Sequence, residues 1–178
     1  MTRWRPGDRQ PDRASMLRVD QAGEYGATRI YAGQLAVLRR NCPEAKLVAR
    51  MAAQEERHLK RFDALMGERR VRPTALQPVW SVAGFALGAA TALLSEQAAL
   101  ACTDAVETEI DRHYGSQLAE LGDEDPEFAA DITAFQADEL EHRDSARAAG
   151  ATNAPGYPLL TAAIRAGCRV AIGLSKRI

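Results

Sequence analysis

Apolar and polar positions recur with helical spacing along most of the chain, and no run of alternating β-branched residues predicts a strand. Ser15 is a candidate N-cap for a first helix that reaches about Arg40. Pro43 suits the first turn of a second helix, which is expected to continue to about Met66 and to end at Gly67. The first 67 residues therefore predict two long helices joined by a short turn.

Four further helical segments are expected in the rest of the chain. An apolar segment rich in Gly and Ala, 79–94, leads into a helix that ends near Leu121. Pro126 is a good first residue for the next helix, which is expected to end at Gly150. A Pro/Gly-rich link, 153–158, precedes a short basic helix. The pattern predicts an all-α fold of two helical hairpins, with an apolar crossover and an additional C-terminal helix.

The length of 178 residues predicts one domain with a core of its own. We expect residues 1–14 to be a flexible, Arg-rich segment and 15–178 to be the single domain. The N-terminus lacks the apolar core of a secretory signal. The apolar segment 79–94 is shorter than the roughly 20 residues that cross a bilayer, so a transmembrane helix is not expected.

Charge is segregated along the chain. Residues 1–72 contain 16 Lys and Arg against 9 Asp and Glu, whereas residues 73–149 contain 3 against 15. An acidic middle does not suit nucleic-acid binding, which needs a broad basic surface. The three cysteines are far apart, so neither a disulfide framework nor a zinc knuckle is indicated.

Two of the three histidines follow a glutamate by three residues, in Glu55-x-x-His58 and Glu139-x-x-His142. Residues i and i+3 lie on one face of a helix, so each pair can turn a carboxylate and an imidazole toward one point. One such pair is common on a solvated helix face. Two pairs, each with a matched glutamate upstream, favour a metal site.

The matched glutamates reveal an internal repeat. Glu24 precedes Glu55 by 31 residues and Glu107 precedes Glu139 by 32, and the two halves are offset by 83 to 84 residues. In each antiparallel hairpin the glutamate and the E-x-x-H pair then lie at the same height. The sequence predicts one layer of six metal ligands, as in ferritin-like dimetal proteins: Glu24, Glu55, His58, Glu107, Glu139 and His142.

Other acidic residues compete for these roles. Glu56, Glu109 and Glu141 are close in sequence to predicted ligands, but Glu141 and Glu109 are expected to point to other faces. Mixed oxygen and nitrogen ligands fit iron or manganese better than zinc. Asp20, one turn before Glu24, is a weaker candidate to accept a hydrogen bond from a ligand histidine.

His113 and Tyr114 follow Glu107 by two helical turns. They either border a substrate pocket, with a catalytic role in proton or electron transfer, or belong to the ordinary core. Tyr31 stands at the same offset from Glu24, which supports the repeat and says little about chemistry.

The strings LRVDQAGE at 17–24, ACTDAVE at 101–107 and DELEH at 138–142, with His113-Tyr114, resemble the demethoxyubiquinone hydroxylase family of ubiquinone biosynthesis. The resemblance covers about residues 15–178, and all six predicted ligands match. It implies an O2-dependent monooxygenase with two iron ions, which hydroxylates the ring of a polyprenylated demethoxyubiquinol. Since no nucleotide-binding motif is present, electrons are expected from an external reductant, either NADH or the quinol itself.

The resemblance also implies a membrane. A prenylated substrate suits a peripheral protein on the cytoplasmic face of a bacterial inner membrane, and a lipid-binding accessory protein could deliver it. The apolar segment 79–94, with Gly84 and Gly88 in a G-x-x-x-G spacing, and the basic, apolar C-terminal helix are candidate contacts. Both could instead bury against the bundle or a partner. The rival function is a ferritin-like ferroxidase or iron store, which would use the same six ligands.

Overall fold

The structure, a computed structural model, describes residues 12–177. Within this range it contains six α-helices and no strand, which confirms the predicted all-α, ferritin-like bundle. The helices are α1 Arg13–Val37, α2 Pro43–Arg69, α3 Gln77–Leu94, α4 Glu96–Leu121, α5 Pro126–Ala148 and α6 Tyr157–Ser175, with a single 3-10 turn at Ala151–Asn153.

The first helix begins earlier than predicted. Its N-cap is Asp12, whose carboxylate accepts a hydrogen bond from the backbone N–H of Ser15 at 3.0 Å, so the prediction of Ser15 as N-cap was wrong. A carboxylate at this position also complements the positive end of the helix dipole. Of the segment predicted to be flexible, 1–11 lies outside the described residues, and residues 13–14 are helical.

Two helices are longer than predicted. Helix α2 passes Gly67 and ends at Arg69, where Arg70 takes a left-handed conformation with φ of 54°. Burial of Leu65 and Met66 holds this last turn against the core, so Gly67 does not end the helix. Helix α6 has 19 residues and is not a short closing helix.

The repeat extends to three helices in each half. In the first half α1 and α2 form a hairpin and α3 packs back on α1, and in the second half α4 and α5 form a hairpin and α6 packs back on α4. The ligand layer lies between the two hairpins. We call α3 and α6 the covering helices.

The covering helix α3 approaches the α1 backbone closely through glycines. A Cβ added to Gly88 would lie 1.9 Å from the carbonyl oxygen of Ile30, and one added to Gly33 would lie 2.1 Å from that of Phe85. Only glycine permits this approach. The G-x-x-x-G spacing of Gly84 and Gly88 is therefore used for packing within the chain.

The covering helix α6 is attached differently, through ion pairs. Arg165 Nε and Arg169 Nη1 donate to Glu109 Oε1 at 2.7 and 2.9 Å, and Glu109 is buried on α4. A Cβ added to Gly167 or Gly173 of this helix would contact no atom of residues 12–177 within 4 Å. Side chains, rather than backbone contact, hold α6 in place.

Among the described residues, α3 has the length and composition of a membrane span, with 18 residues of mean hydropathy 1.3. It also packs along α1. That the protein does not cross a membrane stays a prediction.

Candidate metal centre

The structure brings all six predicted ligands together in one buried layer. Glu24 comes from α1, Glu107 from α4, and the two E-x-x-H pairs from α2 and α5. Each of the six residues is at most 2% exposed. Their ligand atoms form two groups, in each of which the atoms lie within 4.8 Å of one another.

The two ligand groups share two carboxylates. The first group contains Glu24 and His58, and the second contains Glu107 and His142; both contain Glu55 and Glu139. Each half of the repeat thus supplies one glutamate and one histidine to its own group, while the E-x-x-H glutamates stand between the groups. Such an arrangement suits two metal ions joined by bridging carboxylates.

Both histidines direct Nδ1 into the layer. His58 Nδ1 lies 3.2 Å from Glu139 Oε1 and 3.5 Å from Glu24 Oε2. His142 Nδ1 lies 3.0 Å from Glu55 Oε1. The nitrogen that would face a metal is therefore the same in both halves.

The other ring nitrogen of each histidine bonds to the opposite half of the repeat. His58 Nε2 lies 2.9 Å from Asp138 Oδ2, and His142 Nε2 lies 3.1 Å from Gln54 Oε1. Both partner atoms are acceptors, so Nε2 carries a proton and Nδ1 is the nitrogen that a metal would bind. Phe135 also stacks on the His58 ring, with centroids 4.1 Å apart.

Two buried tyrosines contact the layer in a similar crossed manner. Tyr31, from the first half, donates to Glu107 Oε1 at 2.7 Å. Tyr114, from the second half, donates to Glu24 Oε1. Each hydroxyl occupies one oxygen of the opposite glutamate and leaves the other oxygen directed inward.

Several inward ligand atoms lack a hydrogen-bond partner among the described residues. They are Glu24 Oε2, both carboxylate oxygens of Glu55, His58 Nδ1, Glu107 Oε2 and Glu139 Oε1. Buried polar atoms are rarely left in this way, because the loss of water is not compensated. Hard carboxylate oxygens and imidazole nitrogens converging on one volume fit divalent metal ions of the iron or manganese type.

Crowded carboxylates shift the protonation of the layer. Burial, followed by the charge of Glu139, raises the pKa of Glu55 and of Glu107 well above the ordinary value. Burial lowers the pKa of His58, but the nearby carboxylates of Glu139 and Glu24 outweigh it and raise that pKa to about 10. Protons thus offset part of the negative charge, and two divalent ions would displace them.

The net shift of the second histidine is opposite to that of His58. Burial is the largest cause, and it lowers the pKa of His142. For Glu24, the nearby side chains of His58 and Glu55 outweigh burial and lower the pKa. The two halves therefore differ in protonation although their ligands match.

The competing acidic residues lie elsewhere. Glu109 is buried among the arginines of α6, and Glu56 and Glu141 are exposed. The expectation that Asp20 accepts from a ligand histidine was wrong: Asp20 Oδ1 lies 3.1 Å from His113 Nε2. Of the two residues predicted near the pocket, Tyr114 contacts a ligand and His113 contacts Asp20; their catalytic roles stay predictions.

Sequence reasoning missed Gln54, Asp138 and the contact of Tyr31. The internal repeat could have identified these residues, because they occupy matched positions in the two halves. Gln54 and Asp138 directly precede the two E-x-x-H glutamates with the same offset of 84, and Tyr31 and Tyr114 are offset by 83. Matched polar residues around a predicted ligand are candidates to support it.

An apolar cluster lies between the covering helices and the ligand layer. It contains residues of α1, α3, α4 and α6, and we call it the Ile30 cluster: Ile30, Leu87, Cys102, Ala105, Val106, Ile110, Leu160, Ile164 and Cys168. Burial and then the charge of Glu107 raise the pKa of Cys168 to about 12, which reflects the nearness of the cluster to the layer. Apolar side chains beside a metal centre suit contact with an uncharged organic substrate.

Comparison with known proteins links this geometry to one family. Residues 12–175 match the profile of the family described as ubiquinone biosynthesis protein COQ7. A relative from Rhodospirillum rubrum, named 3-demethoxyubiquinol 3-hydroxylase, is 54% identical over 177 residues, which cover 97% of this chain and 82% of the relative.

Two eukaryotic relatives are also named as demethoxyubiquinone hydroxylases. The human protein named NADPH-dependent 3-demethoxyubiquinone 3-hydroxylase, mitochondrial, is 52% identical and is covered over 76% of its length, with 92% of this chain aligned. The Saccharomyces cerevisiae protein named 5-demethoxyubiquinone hydroxylase, mitochondrial, is 42% identical, with 92% of this chain and 77% of the relative aligned.

Proposed function

Because the chain belongs to the COQ7 family of ubiquinone biosynthesis proteins, we propose that it is a monooxygenase that hydroxylates the ring of a polyprenylated demethoxyubiquinol. The names of its relatives support the substrate and the reaction. The observation that carries the proposal is the buried layer of four carboxylates and two imidazoles, whose inward atoms lack partners among the described residues.

The proposed cofactor is a pair of iron ions held by the two ligand groups. Four carboxylates and two neutral imidazoles carry a charge of −4, which two divalent ions balance. When bound, the ions would supply the reducing power that activates O2. One oxygen atom enters the ring and the other leaves as water, so each turnover needs two electrons from an external reductant, either NADH or the quinol.

The residues of this chain have three roles in the proposal. Asp138 and Gln54 hold the histidine rings so that Nδ1 faces the layer. Tyr31 and Tyr114 hold the carboxylates of Glu107 and Glu24. Burial of the whole layer excludes bulk water, which protects the reaction from side processes.

The Ile30 cluster is the proposed site of the quinol ring. It is apolar and close to Glu107, and it lies under both covering helices. The two helices meet where Trp80 Nε1 donates to Ser175 Oγ at 3.1 Å. A prenyl tail leaving this cluster would pass between α3 and α6 to their outer faces.

Those outer faces suit a membrane surface. Val82 and Leu94 of α3 are 72% and 70% exposed, and Leu159 of α6 is 79% exposed. Arg165 and Arg169, on α6, keep 40% and 47% of their side chains exposed. Apolar side chains beside basic ones favour an anionic lipid surface, in a bacterium the cytoplasmic face of the inner membrane. A lipid-binding accessory protein could dock on the same faces.

Single-turnover hydroxylation tests the proposed reaction. The full chain is loaded with Fe²⁺, reduced without air, and mixed with a short-chain demethoxyubiquinol and ¹⁸O2. We expect a quinol heavier by one ¹⁸O atom, detected by mass spectrometry. Glu141→Gln, an exposed change beside His142, should behave as the parent protein. Iron oxidation at the same rate with and without quinol, and no hydroxylated product, would support the ferroxidase instead.

Flotation with vesicles containing anionic lipid tests the membrane contact. Leu94→Glu combined with Leu159→Glu should reduce the bound fraction about tenfold or more, since two apolar side chains are replaced by charges that anionic lipid repels. Ala53→Glu combined with Ala64→Glu, at exposed positions of α2, adds the same two charges and is the matched control. Equal binding of both variants would remove α3 and α6 as the membrane contact and leave the proposed reaction intact.

A further inference from the structure

The polar groups around the ligand layer are matched between the halves, with one exception in direct contact with a ligand. The glutamates, the histidines and the two tyrosines all repeat with offsets of 83 or 84. The hydrogen-bond partners of the histidines occupy matched positions but differ in chemistry: Asp138 is a carboxylate and Gln54 is a neutral amide.

This difference affects how well each ring can bind a metal. A carboxylate that accepts the Nε2 proton increases the electron density on the ring more than an amide oxygen does, because the charge-assisted bond is stronger. The opposite nitrogen, Nδ1, then becomes a better donor. The bond of His58 is also the shorter of the two, 2.9 Å against 3.1 Å.

The surroundings of the two rings add to this difference. Phe135 stacks on His58 and fixes its plane, and the residue at the matched position in the first half is Met51. A ring held by both a carboxylate and an aromatic stack loses less freedom when a metal binds. Both effects act in the same direction.

We propose that Asp138 and Gln54 make the two metal positions unequal, so that the position of the first ligand group, facing His58, binds its ion first and more tightly. Asp138 and Gln54 are positioning residues, since they act through the histidines. The inference rests on the dimetal centre proposed above. It assigns a role to the chemical difference between the hydrogen-bond partners of the two histidines.

Titration of the metal-free full chain with Co²⁺ tests the inference, with visible absorption as the readout. We expect two binding steps in the parent protein, with dissociation constants that differ by about 10- to 100-fold. Asp138→Asn replaces the carboxylate by an amide of the same size, and it should weaken the tighter step and reduce the difference between the two dissociation constants. Glu141→Gln also removes one carboxylate from α5, but from an exposed position, and should leave both steps unchanged.

A double variant that exchanges the two hydrogen-bond partners tests whether Asp138→Asn acts through the position of the charge or by disturbing the fold. Asp138→Asn combined with Gln54→Glu moves the carboxylate to the other half, so two unequal steps should return. The Mössbauer spectrum of the protein loaded with ⁵⁷Fe²⁺ should show two resolved iron environments in the parent and in the exchange variant, and should show them converge in Asp138→Asn. Helical content by circular dichroism checks that each variant folds.

The outcomes distinguish the inference from the proposed function. Two equal steps in the parent, or an Asp138→Asn titration like that of the parent, would overturn the inequality and leave the dimetal centre in place. Failure of the parent to bind two Co²⁺ ions would overturn the dimetal centre and the inequality with it.

Discussion

The two halves of the molecule share one plan, a hairpin followed by a covering helix, yet they differ outside the ligand layer. At the layer, Glu24 matches Glu107 and Tyr31 matches Tyr114, each with an offset of 83. At the covering helices, the same offset pairs Gly26 of α1 with Glu109 of α4. Geometry near the proposed metal centre is thus retained in both halves, while the way of attaching the outer helix is not.

The difference has a physical consequence for access to the layer. Helix α3 is in backbone contact with α1 at Gly33 and Gly88, which allows no gap between the two helices. Helix α6 is held on α4 by Glu109 with Arg165 and Arg169, whose side chains are partly exposed. Separating α6 from α4 breaks polar contacts that water can replace and exposes the α6 side chains of the Ile30 cluster. Because α6 has no close backbone contact of the kind that joins α3 to α1, we expect α6 to be the more easily displaced cover.

The largest expected effect tests whether the halves are equivalent at the layer. Glu24→Ala and Glu107→Ala should each remove one group's own carboxylate, whereas Glu55→Ala removes a carboxylate shared by both groups. We expect the first two variants to keep one bound iron, Glu55→Ala to keep none, and all three to lose at least about 100-fold in hydroxylation, since both ions are needed for the reaction. Iron content and single-turnover product measure this.

The control for these variants is Glu56→Ala, which removes an exposed carboxylate next to Glu55. It should retain iron, activity and helical content. Two irons retained in Glu55→Ala would show that this carboxylate does not join the two groups.

A second prediction contrasts the covering helices. Gly88→Ala would place a methyl group 1.9 Å from a backbone oxygen that cannot move freely, so α3 must shift from α1. The cost should be about 3 kcal/mol. Gly167→Ala of α6 meets no neighbour within 4 Å in the described part of the chain and should stabilise the protein by up to about 1 kcal/mol through helix propensity. Chemical denaturation measures both, and equal effects would remove the contrast between α3 and α6.

A third prediction concerns the attachment of the covering helix α6 to α4. Glu109→Gln keeps the size of the side chain but removes the charge that Arg165 and Arg169 contact. Because the arginines are partly exposed, the expected loss is only about 1–2 kcal/mol. Hydrogen exchange should become faster in α6 and stay unchanged in α3. Glu120→Gln, an exposed change on α4, is the control, and faster exchange throughout the bundle would mean that Glu109 does not act on α6 alone.

The smallest effect is the pH dependence of the metal-free protein. His58 has a folded-state pKa of about 10, above its unfolded value, so it stabilises the fold below pH 6.5 and loses this contribution as the pH rises toward 10. The melting temperature should fall by roughly 5 °C between pH 7 and pH 9. The pKa of His142 is lowered, so that residue is neutral throughout this window.

Variants of the two histidines test the assignment. His58→Gln should reduce the pH dependence of the melting temperature, and His142→Gln should leave it unchanged. The raised pKa of Glu55 and of Glu107 adds a fall of the same sign, so part of the dependence should persist in His58→Gln. An equal slope in both variants would show that His58 does not titrate in this range.

Much of this protein was determined by sequence periodicity alone. Helical spacing predicted the number and order of the elements, and two E-x-x-H pairs with matched glutamates predicted which six residues the structure brings into one layer. Such inferences succeed because the geometry of a helix is local: residues three apart share a face, and antiparallel hairpins bring equal distances from a turn to one height.

What the sequence could not determine depended on contacts between the halves. That Asp138 bonds to His58, that Tyr31 bonds to Glu107, and that Asp20 turns instead to His113 followed only from the packing of one hairpin on the other. The role of the α3 glycines was also decided by tertiary packing, because the sequence alone did not show that Gly88 lies against the backbone of α1. Helix periodicity places a residue on a face, but which residue of a distant helix meets it is decided by the register and separation of the packed helices.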